Sequence, residues 1–167
     1  MNALSIVEPY ASLIANGEKS FETRSWSPRY LGELAICVSK NKNIMKASKI
    51  ITDDDVYSLF FTHINKLIGD GVIPAFQDMQ FGKCIAITNI VDIYKIVSVK
   101  KDGVLLTSVC TGKSKCFALE SFIKELLTGE WHEGWYAWEL SNTRKIYKPF
   151  PVRGKPGLFQ ISLPRPY

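Results

Sequence analysis

The chain has 167 residues, 46% of them hydrophobic, with a formal net charge of +5 and a pI near 9.0. That is the size of one ordinary domain with a core of its own, and a charge that permits a polyanionic partner such as nucleic acid without requiring one. No apolar run approaches the roughly 18 residues of a membrane span, and Met1-Asn2-Ala3-Leu4-Ser5-Ile6 lacks the cationic start of a signal peptide, so a soluble cytoplasmic protein with no membrane partner is expected.

Residues 4–7 read as a first strand. Pro9 suits the opening turn of a short helix whose apolar face is Ala11, Leu13 and Ile14, and Asn16-Gly17 ends it, because glycine tolerates the left-handed conformation. The stretch that follows, Gly17-Glu18-Lys19-Ser20-Phe21-Glu22-Thr23-Arg24-Ser25-Trp26, is the most informative in the chain. If it is extended, alternation puts Glu22, Arg24 and Trp26 on one side and turns Phe21 and Thr23 toward a core. Lys19 sits at the turn, with a stem long enough to join Glu22 and Arg24. Ammonium and guanidinium donate and carboxylate accepts, so such a group suits an anionic or amide-bearing ligand. The alternative is a surface ion-pair ladder, which stabilises little.

Ser27-Pro28-Arg29 breaks this strand, and residues 33–39 suit a strand buried on both faces. Residues 41–51 read as helical. Thr52 then caps a new helix, with Asp53, Asp54 and Asp55 at its positive end and Val56, Leu59, Phe60, His63, Ile64 and Leu67 in one apolar stripe. After a loop over 69–80, residues 83–97 form a branched-residue run that belongs in a central strand, with a bulge near Asn89. Lys101-Asp102-Gly103 marks a hairpin or extended loop. Residues 119–127 form a helix burying Phe122, Ile123, Leu126 and Leu127. In the aromatic run 131–138, alternation places Tyr136 and Trp138 on one face and Trp135, Ala137 and Glu139 on the other. A basic, proline-broken segment over 145–155 precedes a closing strand at 158–163.

Cys37 and Cys84 lie in apolar runs and behave as small buried hydrophobes. With Cys110, Cys116, His63 and His132 they offer no metal-ligand spacing, so no metal and no cofactor is expected. Thr111-Gly112-Lys113-Ser114 lacks the upstream glycine of a phosphate loop, since Thr107 stands there. Strand runs with inserted helices indicate an α+β fold.

Gly17-x-Lys19-x-x-Glu22-x-Arg24 resembles the signature of the ASCH domain family, whose fold is a PUA-like β-barrel. Leu4-Ser5-Ile6 with Pro9-Tyr10-Ala11, and Gly32-Glu33-Leu34-Ala35-Ile36, resemble its opening elements. Gly134-Trp135-Tyr136-Ala137-Trp138-Glu139-Leu140 and Gly154-Lys155-Pro156-Gly157-Leu158-Phe159 resemble its closing strands. The resemblance implies a single ASCH-like domain over 1–167, with five or six barrel strands, helices covering its sides and a partly helical insertion at about 44–80. It also implies a role in RNA binding, RNA processing or transcription.

The leading expectation is a nucleic-acid-binding module that takes single-stranded RNA or a modified nucleotide. Lys19, Glu22, Arg24, Lys40, Arg153 and Lys155 would contact phosphates or a base edge, and Trp26, Tyr136 or Trp138 would supply a stacking face; for Trp138, core packing is the competing role. The alternatives are a hydrolase and a transcription-related adaptor. One branch similar over the signature hydrolyses an acetyl amide of modified cytidine, with a threonine nucleophile three residues after the lysine. Here Glu22 holds that position, and Thr23, one residue late, belongs on the opposite face. A Lys19–Glu22 pair remains able to act as general acid and base on a nucleoside or phosphodiester.

Overall fold

The computed structural model describes residues 1–42 and 54–164. In chain order these form β1 (Asn2–Ile6), α1 (Tyr10–Ala15), β2 (Phe21–Arg24), β3 (Gly32–Val38), α2 (Asp54–Gly69), a 3₁₀ turn (Phe76–Asp78), β4 (Lys83–Lys100), β5 (Gly103–Ser108), β6 (Ser114–Ala118), α3 (Leu119–Leu127), β7 (Tyr136–Pro151) and β8 (Leu158–Gln160). The fold is α+β, as expected. Eight strands are present among the described residues where five or six were expected, because the segment after Gly103 forms two strands, β5 and β6. The helix expected over 41–51 and the cap at Thr52 and Asp53 fall largely or wholly outside the described residues. Among those residues no helix is long and apolar enough to cross a membrane.

The chain makes two compact units, and β4 and β7 run through both. The first comprises residues 1–18, 33–88 and 142–167. In it β1 pairs in parallel with β3, Leu4 opposite Ile36, and antiparallel with β8, Leu4 opposite Leu158. Ala3, Ala35, Cys37, Cys84 and Phe159 close one core. The α2 stripe makes another, with Phe60, Ile64 and Leu67 packed on Leu13 and Ile73; each such side chain contributes about 1.5–3 kcal/mol. Leu59, assigned to that stripe from spacing, is instead exposed. Gly17 ends α1 at φ +77°, with the Glu18 amide donating to the Leu13 carbonyl and the Gly17 amide to that of Ile14, the bond pattern of a left-handed helix terminus.

At the other end of α1, the Glu8 carboxylate accepts hydrogen bonds from the Ser12 amide (3.0 Å) and hydroxyl (2.8 Å). Glu8 is almost completely buried, and burial outweighs the two bonds and raises its pKa. A raised carboxyl pKa means that the folded state favours the protonated form. Its stabilising contribution is therefore whole below the ordinary value of about 4.5 and is lost as pH rises through the folded-state value. Thermal melts between pH 4 and 7 should show Glu8→Gln gaining on the wild type as pH increases. A constant gap between the two would overturn the assignment.

The second unit comprises residues 19–32 and 89–141. Its strand order is β2-β7-β4, with β5 paired to β4 and β6 to β5. Phe21 from β2 meets the rings of Tyr94, Phe117, Phe122 and Trp131 at centroid distances of 5.6–6.4 Å, and Ile96, Val104 and Leu106 complete this core. From α3 only Phe122 is fully buried, and Ile123, expected inside, is 41% exposed. The Lys101-Asp102 turn puts Lys100 opposite Gly103, and the ladder between β4 and β5 shifts register between Ile96 and Ser98. β7 continues as far as Pro151, through the segment that read as proline-broken. Among the described residues β2 pairs only with residues 136–139 of β7, so farther along that edge asks for no amide donors and tolerates prolines.

Candidate ligand site on the signature strand

The start of β2 is fixed from a distance. The α3 carboxylate of Glu125 accepts the Ser20 amide at 2.6 Å and the Phe21 amide at 3.3 Å. Lys19, immediately before, is 3% exposed. Burial lowers its pKa, opposed first by attraction to Glu125 and then by attraction to Glu22. Burial likewise raises the pKa of Glu125, against the pull of Lys19 and its two amide bonds. The Lys19 ammonium occupies space left open at Gly129: a Cβ there would stand 2.9 Å from Nζ and 3.0 Å from Nε1 of Trp131. The Trp131 indole itself donates to the Glu125 carbonyl at 2.7 Å.

Along β2 the period-two pattern holds. Glu22 is in register with Trp138, and Arg24 with Tyr136. Arg24 Nε lies 2.8 Å from Glu22 Oε1, the carboxylate side chain 8% exposed and the guanidinium side chain 31%. Lys95, from β4, donates to the Tyr136 hydroxyl at 3.3 Å and stands 4.3 Å from that ring's centroid. Trp26, half-buried, meets Trp138 edge-to-face at 4.9 Å and 73°. Trp138 is fully buried, and its indole N–H finds no hydrogen-bond acceptor among the described residues. The Lys95 cation, the Tyr136 ring and the Glu22–Arg24 carboxylate–guanidinium pair thus share one face, beside the Trp26 indole.

The opposite face has other duties. Phe21 enters the core, and the Thr23 hydroxyl accepts the Glu130 amide at 3.1 Å. Glu139, in register with Phe21, accepts from the Tyr94 hydroxyl at 2.9 Å and from Lys115 at 3.0 Å. Burial pushes the Tyr94 phenol up to about 12.

Of the expected site residues, Lys19, Glu22, Arg24, Trp26, Tyr136 and Trp138 belong to the second unit. Lys40, Arg153 and Lys155 belong to the first, all three exposed, with the Lys40 stem lying against Gly82. Two participants, Glu125 and Lys95, escaped the sequence reading. Glu125 could have been suspected, being a carboxylate three residues after Phe122 and so on the apolar face of its helix. Among the described residues no group of three His, Cys, Asp or Glu side chains is arranged to hold a metal ion.

The candidate site is thus a strand-borne pair of opposite charges, flanked by aromatic rings in an α+β sheet. The model of the ASCH domain matches residues 4–150, and the chain belongs to that family, a PUA-like group whose members generally bind RNA. No curated protein matches the chain.

Proposed function

We propose that the protein binds single-stranded RNA through a base held at Glu22, Arg24 and Trp26. The observation that carries this is the Glu22–Arg24 pair beside a half-buried indole. A bare phosphate would be repelled by Glu22. A base edge that presents an N–H next to a carbonyl satisfies both members at once, the carboxylate accepting and the guanidinium donating. Trp26 offers the stacking face, worth about 1–3 kcal/mol per base, and Trp138 holds it from behind. Arg24, Lys95 and the basic residues around them would take the flanking phosphates.

The test is titration of labelled single-stranded RNA at several salt concentrations. For about three neutralised phosphates, the logarithm of affinity should fall against the logarithm of salt with a slope of roughly −2. Trp26→Ala should weaken binding roughly tenfold or more at an unchanged slope, whereas Lys95→Met should flatten the slope. No binding at low salt, or losses no greater than those from Lys124→Ala, would return the signature to a scaffold role.

A second reading, hydrolysis of a nucleoside or RNA with Lys19 and Glu22 as acid and base, is favoured by the lowered pKa of the buried Lys19 amine. Turnover of a nucleoside or RNA panel that disappears in Lys19→Met would establish it.

A further inference from the structure

A cavity of about 500 Å³ lies wholly within the first unit, apart from the signature strand. Its volume falls in the range of small-molecule sites. Ile68, Ile73, Ile85 and Ile146 supply apolar wall, and five polar residues also line it: Glu8, Ser12, Asn16, Gln80 and Lys145. Glu8 is the unusual member. It is 1% exposed, and its carboxylate is held by Ser12 alone, with no cation paired to it among the described residues. Each of its oxygens accepts one hydrogen bond and keeps room for another. Lys145, in contrast, is exposed and brings the opposite charge to the same cavity.

We propose that this cavity binds a small zwitterion with an apolar body, its ammonium group on Glu8 and its anionic group on Lys145. A buried carboxylate is costly without a cation, and an ammonium ligand supplies one together with up to three donors. Lys145 disfavours a simple amine, and Glu8 disfavours a simple acid. A molecule carrying both charges meets both groups, while its hydrocarbon part displaces water from the isoleucine walls. The site owes nothing to the RNA reading, and either can fail alone.

The experiment uses the whole chain and nuclear magnetic resonance titration. Leucine, phenylalanine and 6-aminohexanoate are the zwitterionic probes, and isoamylamine and 4-methylpentanoate are the single-charge controls. At least one zwitterion should bind saturably, roughly ten- to a hundredfold tighter than both controls. Glu8→Gln and Lys145→Met should each remove most of that margin. Ala75→Leu, which narrows the cavity without touching either charge, should abolish binding while leaving RNA affinity unchanged. Absence of saturable binding by all three zwitterions, or an amine control that binds equally well, overturns the proposal.

Discussion

Replacing Glu125 by alanine should destabilise the protein by about 2–4 kcal/mol, which for a chain of this size lowers the melting temperature by roughly 4–15 °C. Two effects combine. The amides of Ser20 and Phe21 lose their acceptor, and the buried Lys19 ammonium loses the largest of the attractions that offset its desolvation. The second effect predicts a coupling. Lys19→Met removes the cation that needs compensation, so Glu125→Ala should cost clearly less in that background than in the wild type. Urea titrations of the four proteins measure it, and amide exchange at Ser20 and Phe21 should accelerate in both proteins carrying Glu125→Ala. Additive effects, or a Glu125→Ala within about 0.5 kcal/mol of the wild type, would reduce Glu125 to an ordinary surface carboxylate.

Gly103→Ala should be comparably severe. At φ +154° the residue sits where side chains are strained, and a Cβ there would run into the backbone carbonyl oxygen of Phe117. Backbone cannot yield as a side-chain tip does, so β5 and β6 must part or the Lys101-Asp102 turn must rebuild. A loss of about 2–4 kcal/mol follows. Thermal melts of the variant against the wild type measure it. An unchanged melting temperature would mean that the turn accommodates a methyl group without loss.

Local rules made part of this site readable from the sequence alone. Glu22 meets Arg24 because the two are two residues apart on a strand, and Thr23 turns away for the same reason. Gly17 ends its helix as its chemistry dictates. Period-two alternation placed Tyr136 with Trp138, but it could not say that Trp138 would be fully buried and Tyr136 half-exposed. Lys95 was illegible, and Glu125 legible only as a carboxylate on an apolar helix face, because their roles arise from pairing across the fold. β7 was cut short at its prolines because nothing local reveals that, among the described residues, one edge of the strand has no neighbour to satisfy there.

β2 has a temporal consequence for the molecule. It stands at the end of the strand order, and among the described residues its one strand partner is residues 136–139 of β7. Its clamp, Glu125, lies 105 residues beyond Ser20 in the chain. As the polypeptide leaves the ribosome, the motif emerges well before the two segments that hold it in place. Until both α3 and the aromatic strand have been synthesised, Glu22 and Arg24 belong to an unpaired stretch of chain. A nascent chain carrying the complete motif therefore lacks the paired arrangement of Glu22 and Arg24, which forms only once synthesis has run past Glu139.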